Sequence, residues 1–206
     1  MNYIRKFFGH LKTILIHKYW VFHYCYLAGA PIQGLLHDLS KFHPIEFFEG
    51  VKYWTGTHSP IEDCKAENGY SMAWLHHKGR NKHHYQYWTD NFDNGGEPVL
   101  MPFKYSVEML CDMLGAGRAY YKEDFTFQKE LDWWNRKLEC NMMIHPVNKE
   151  FITITLNKLA KAQLGIEALI LDRDELREIW DNINEKELEK RVIKSLNILN
   201  QVLEKE

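Results

Sequence analysis

The chain has 206 residues, of which 45% are hydrophobic, and 26 Lys plus Arg stand against 28 Asp plus Glu, a formal charge of −2. That composition excludes an intrinsically disordered chain, and the even charge balance gives no general reason to expect a nucleic-acid duplex or a membrane as partner. No apolar run approaches the ~20 residues that span a bilayer.

Ile4, Phe7, Phe8, Leu11, Leu15, Tyr19, Phe22 and Tyr26 recur at three- and four-residue steps, which predicts a helix over residues 3–27. Ala28-Gly29-Ala30-Pro31 ends it, and a second helix is expected over 32–41. Pro44 opens a third, carried by Ile45, Phe47, Phe48, Val51 and Trp54. Residues 55–70 mix Gly, Ser, Pro and Asn with scattered charges and read as a surface loop. Helices follow over 71–78 and, with Asn81 as N-cap, over 81–88, before a loop at 90–96. Pro102 opens a helix over 103–121. The remaining segments 125–141, 149–164, 174–183 and 185–204 also read as helical. Leu188, Val192, Leu196, Leu199 and Leu203 form one stripe on the last. The fold class is all-α. We expect a domain over 1–145 and a helical extension over 146–206 that packs on it or forms a homodimer.

Four cysteines, Cys25, Cys64, Cys111 and Cys140, are scattered without a CxxC pair. They read as reduced thiols, so a cytoplasmic protein is expected.

The chemistry concentrates in histidine, of which the chain has 11. Imidazole is the commonest protein metal ligand. His17, the pair His37-Asp38, the pairs His76-His77 and His83-His84, and Asp112 follow one another along the predicted helices. Neighbours on a helix point ~100° apart, so His37 and Asp38 would reach one ion only from two sides. His17 lies far enough upstream for an antiparallel helix to return to it. His10 shares its face but sits ~10 Å away along the axis, which suits a substrate contact. Glu108 and Asp112 share a face that continues into Gly115, Ala116 and Ala119, small residues that let a polar group approach. Between Leu75 and His84, four imidazoles alternate with Lys78, Arg80 and Lys82, a composition suited to a metal beside a phosphate.

Leu35-Leu36-His37-Asp38-Leu39-Ser40-Lys41 resembles the signature helix of the HD-domain superfamily, named for its metal-binding His-Asp pair. The order His…His-Asp…His…His…Asp is similar to that of its dinuclear members. A closer likeness is to a bacterial and phage family known only as a domain of unknown function. It rests on residues 9–14, His17-Lys18, residues 34–41, Glu46-Phe47, residues 73–88, and Val107-Glu108-Met109 with Asp112, and covers approximately residues 5–120.

The resemblance implies an HD-like helical bundle with His17, His37, Asp38 and Asp112 on a metal. One His of each later pair would bind a second ion: His77 and His84 are favoured, with His76 and His83 left open. It further implies hydrolysis of a phosphomonoester or phosphodiester, often a nucleotide. Alternatives are an iron oxygenase on the same ligands, or a non-catalytic module that binds metal or nucleotide. Mixed imidazole and carboxylate ligation suits Mn, Fe, Co, Ni or Zn, as one or two ions. In the catalytic reading Lys41 and Arg80 offset developing charge, while Glu108 orients a ligand or acts as base, as Glu46 also could. His10 and Lys78 contact the substrate, and Tyr53, Trp54, Tyr87 and Trp88 are candidates to stack a base.

Overall fold

Asn2 Oδ1 accepts from the backbone N–H of Ile4 at 2.7 Å and of Arg5 at 3.3 Å, capping the first helix, α1 (Tyr3–Leu27). The computed structural model describes residues 2–90, 93, 95–162 and 166–203, the last five by backbone alone. The helix α2 (Pro31–Leu36) then ends at the His-Asp pair instead of running through it as the sequence suggested. His37 is extended (φ −52°, ψ 131°), Asp38 is left-handed (φ +53°), and a 3-10 turn spans Leu39–Phe42. Asp is one of the few non-glycine residues that visits this region readily. The break has a chemical reason: out of helix, the two side chains turn toward each other, His37 Nε2 lying 3.2 Å from Asp38 Oδ2.

Next come α3 (Pro44–Tyr53), α4 (Pro60–Asn68) and α5 (Met72–Lys78). The sequence reading of 55–70 as loop is therefore wrong over α4. Pro60 at the first position, Glu62 and Asp63 in the first turn and Gly69 at φ +79° are all helix-end signals, masked by polar composition. The helix expected over 81–88 is a turn followed by a 3-10 segment, Tyr85–Trp88. Asn81 is not its cap; its Nδ2 donates to Ser40 Oγ at 2.8 Å and to His77 O at 2.9 Å.

The rest comprises α6 (Phe103–Tyr121), α7 (Phe127–Leu138), α8 (Pro146–Lys161), α9 (Glu167–Ile170) and α10 (Arg173–Leu203). The two final helices expected at 174–183 and 185–204 are one helix, since nothing at Asn184 breaks it. Leu164, Glu204 and the side chains of Leu199 and Leu203 lie outside the described residues, as does part of the loop read at 90–96. All described regular structure is helical apart from a single bridge between Thr89 and Pro98. No described helix is long and apolar enough to cross a membrane.

The main core joins Val21 and Tyr24 of α1, Leu110 and Leu114 of α6, Trp134 of α7, Phe151 and Leu156 of α8 and Trp180 of α10. It runs across residue 146 without interruption. Asn148 of α8 also ties down the entry to α6, accepting from Met101 N at 3.0 Å and donating to Met101 O at 2.9 Å and Ser106 Oγ at 2.8 Å. The helices α1 and α6 approach closely because position 115 is glycine. A Cβ there would lie 2.4 Å from Val21 Cγ2 and 3.0 Å from Val21 N.

Candidate metal centre

The contact between α1 and α6 sets His17 against Asp112, with His17 Nε2 3.1 Å from Asp112 Oδ1. The break after α2 inserts His37 and Asp38 between them. His37 Nε2 lies 3.2 Å from Asp112 Oδ1, His17 Nε2 lies 3.5 Å from Asp38 Oδ2, and the two Nε2 atoms are 3.3 Å apart. Donors bound side by side to one ion at ~2.0–2.2 Å are separated by roughly 3–3.6 Å, so all these distances suit a shared cation. A second group meets on the other oxygen of the same aspartate. His77 Nε2 is 3.3 Å and His83 Nε2 3.5 Å from Asp38 Oδ1, and His84 completes the set. Within each group the donor atoms lie within 4.8 Å of one another, and each group could hold a metal ion.

The fit rests on buried atoms that have nothing else to do. Asp38 Oδ1 and the Nε2 atoms of His83 and His84 are buried without a hydrogen-bond partner. Orphaned polar atoms of this kind are expensive unless something charged completes them. Lys41 Nζ makes an ion pair with Asp38 Oδ2 at 2.6 Å, which offsets part of that cost.

Two glutamates fix the imidazoles from behind. A carboxylate can only accept, so Glu108 Oε1, 3.1 Å from His37 Nδ1 and 3.0 Å from His83 Nδ1, places the ring hydrogens there. Glu46 does the same for His77 Nδ1 at 2.7 Å and His76 Nδ1 at 2.5 Å. On His37, His77 and His83 the Nε2 lone pair is thereby left toward the centre, the arrangement metal-binding histidines adopt. Asn81 and Ser40 reinforce His77, and Lys18 Nζ donates to the His37 carbonyl.

The electrostatics describe a site that needs positive charge. Burial opposes a charged His37, yet Asp38, Asp112 and Glu108 hold its imidazolium well above the usual range. Against the same burial, His37 and Lys41 hold Asp38 well below the carboxylate range, while His17 and His37 do so for Asp112. Burial and its neighbours His83 and His77 push His84 well below the imidazole range, so it offers a neutral nitrogen.

Beside the donors opens a cavity of about 200 Å³, whose lining includes His10, Thr13, Lys41, Trp74, Tyr120 and the ligand-type residues His17, His77, His84 and Asp112. Burial, then the Lys41 charge, lowers the His10 pKa to about 4, so this ring is neutral at physiological pH. Gly50 makes room for it: a Cβ there would stand 2.2 Å from His10 Nε2.

Of the residues singled out by sequence, His17, His37, Asp38, His77, His83, His84 and Asp112 converge, while Lys41 and His10 line the cavity. His84 and His83 both enter the second group, so the choice between them dissolves. His76 stands outside it, bound to Glu46 and stacked on His43 at 4.3 Å. Glu108 Oε1 is engaged by the ring nitrogens of His37 and His83. Lys78 and Arg80 are not brought to the cavity; Arg80, in the turn after α5, donates from Nη1 back to His76 O. Trp74 and Tyr120 wall the cavity, whereas Tyr53, Trp54, Tyr87 and Trp88 do not. Sequence reasoning passed over Tyr120 and Glu49. Glu49 lies one turn from Glu46 on α3, a spacing that signals a shared face. Its carboxylate accepts from Ser71 Oγ at 2.5 Å and from the N–H groups of Met72 and Ala73, fixing the start of α5.

No curated protein and no solved structure matches the chain. Residues 6–158 match the model of a family of unknown function, DUF5662. That match extends from α1 into α8 and takes in every donor of the centre, so the chain belongs to the DUF5662 family.

Proposed function

We propose that this chain is a metal-dependent phosphohydrolase of HD-domain type, a phosphomonoesterase or phosphodiesterase acting on a nucleotide or another small phosphate. The observation that carries the reading is Asp38: buried, paired with Lys41 through Oδ2 but without a hydrogen bond on Oδ1, and common to two donor groups beside a cavity that Lys41 lines. His17, His37, Asp38 and Asp112 would hold one divalent transition ion, and Asp38, His77, His83 and His84 a second. Such an ion, Mn, Fe, Co, Ni or Zn, supplies hydroxide at neutral pH and polarises a phosphoryl oxygen.

The chain's own residues do the rest. Glu108 and Glu46 keep the ring protons of His37, His83 and His77 on the far side, so that the lone pairs stay pre-aimed. Asp38 and Asp112 hold the Lys41 ammonium above its usual pKa against the opposing effect of burial. It therefore stays charged and offsets the negative charge of a phosphate in the cavity. Ala116, Ala119, Ile61 and Trp74 exclude water around the organic part of the substrate.

Elemental analysis of tag-free protein tests the reading. Wild type should carry at least one equivalent of transition metal, and His37→Ala and Asp112→Ala should lose most of it. Aryl phosphates, nucleotides and cyclic dinucleotides, each with added Mn, Co, Ni, Fe or Zn, then test hydrolysis. Oxygen consumption with a diiron signal would replace hydrolysis by oxygenation, and tight nucleotide binding without turnover would replace it by sensing.

A further inference from the structure

The chain's overall charge of −2 hides a local segregation. The helix α1 carries Arg5, Lys6, Lys12 and Lys18 and no Asp or Glu at all; Lys6 Nζ donates to Lys52 O and Lys18 Nζ to His37 O, while Arg5 and Lys12 are exposed. Up to residue 61 the chain has three acids, and each is turned inward. Asp38 and Glu46 are buried among the histidines, and Glu49 is bound to Ser71 and to the N–H groups that begin α5.

The same stretch carries many exposed apolar side chains. His10, Ile14, His17, Val21 and Tyr24 take the inner face of α1, yet Ile4, Phe8, Leu15, Tyr19, Phe22 and Tyr26 form a second stripe on the outside. Phe8 and Tyr19 are each 63% exposed. The stripe is flanked by further open side chains. The helix α2 seats Gly34 against Phe22 and Cys25, and its Ile32, Leu35 and Leu36 face out. The helix α3 packs Phe47 on Phe7 at 5.1 Å, and its Ile45 and Phe48 face out. Monomeric soluble proteins rarely leave an apolar area of this extent uncovered. Along its other edge runs a groove where Phe8, Leu11 and Tyr19 meet Lys12, Arg118 and Lys122, with Glu123 the one acid.

We propose that this face lies on an anionic membrane surface. The charge decides against a second copy of the chain: two α1 helices laid together would oppose cations to cations with no acid to answer them. The extent decides against a single partner helix, which is only ~10–12 Å across and would cover one groove. Here the apolar side chains spread over three helices, one of them ~37 Å long. Cations beside an aromatic-rich apolar stripe, with Tyr3, Tyr19 and Tyr26 exposed, match a helix lying in the plane of the headgroups. The inference reverses the sequence expectation of no membrane partner, which rested on charge averaged over the whole chain. It is independent of the phosphohydrolase reading, since the donors occupy the opposite face of α1.

Sedimentation of the full chain with vesicles tests it. Vesicles of phosphatidylglycerol mixed with phosphatidylcholine should bind at least about tenfold more tightly than phosphatidylcholine alone, and high salt should weaken that binding. The double variant Phe8→Glu/Tyr19→Glu, with unchanged helicity and metal content, should lose about tenfold or more. Equal binding to both vesicle types, unaffected by salt, would overturn the proposal. So would a wild-type chain that remains unbound, whether light scattering finds a dimer that the double variant dissolves or an acidic polypeptide covers the face instead.

Discussion

His37 and His83 lean on one and the same oxygen, Glu108 Oε1, at 3.1 Å and 3.0 Å from their Nδ1 atoms. One imidazole belongs to each donor group, so a single carboxylate sets the orientation of ligands in both. Burial opposes its ionisation, but the two ring N–H groups hold Glu108 below the usual range.

Glu108→Gln should therefore weaken metal binding without abolishing it. Loss of such an outer partner costs about 10–100-fold in metal affinity. Competition with a chelator of known affinity measures this, and an unchanged affinity would show that the His37 and His83 rings are held by packing alone.

Asp38 combines a left-handed backbone with a charge, and two substitutions separate the roles. Asparagine tolerates φ +53° nearly as well, whereas alanine pays roughly 1–2 kcal/mol for it. Asp38→Asn and Asp38→Ala should both lose most of the bound metal. In metal-free protein, Asp38→Ala should unfold at lower denaturant concentration than Asp38→Asn. Equal midpoints would remove the backbone from the account.

Gly115→Ala should loosen the contact that brings His17 to Asp112. Its Cβ would overlap Val21, and part of that overlap is with backbone that cannot rotate away. Overpacking of this kind costs about 1–3 kcal/mol. Chemical denaturation should reveal the loss, with metal content falling alongside it.

Glu130, which is not one of the donors, introduces a pH dependence of its own. Burial, with a smaller contribution from the Asp112 charge, raises its pKa from 4.5 to about 8. The folded chain thus keeps a proton that the unfolded chain releases above about 4.5. Stability from this group is complete below that value, declines as pH rises toward about 8, and is flat beyond. The sum is on the order of a few kcal/mol. Glu130→Gln should remove this slope and be the more stable protein at pH 8. If wild type and variant lose stability in parallel from pH 5 to 8, Glu130 is not the group responsible.

The helices most legible in the sequence were those with long apolar periods. The first is placed at residues 3–27 by its repeat and the Ala28-Gly29-Ala30-Pro31 stop, and α6 by Pro102 and the pattern after it. The errors fell where local chemistry overrides periodicity. One helix was expected over 32–41, but it breaks at His37 and Asp38, where the two side chains turn toward each other. Polar composition hid α4, whose Pro60, Glu62 and Gly69 nevertheless mark its ends. At the centre, residue types and their order singled out side chains that the structure brings together, among them His17, His37, Asp38, His77 and Asp112. Spacing could not separate His76 from His77, because both lie in the last turn of α5 and both reach Glu46. Lys78 and Arg80 looked functional beside four imidazoles, yet Lys78 ends α5, Arg80 lies in the turn beyond it, and neither lines the cavity. Charge segregation around α1 was invisible to a whole-chain sum.

The side chain of Asn148 separates distance along the chain from dependence. Every candidate ligand lies between residues 17 and 112, but the first turn of the helix bearing Asp112 is buckled down by an amide 36 positions later. A peptide ending before that asparagine would keep the full complement of ligands and lose the clasp that holds one of their supports. Trimming the chain toward its ligands would thus cost affinity for the ion before it removed a single group that touches it.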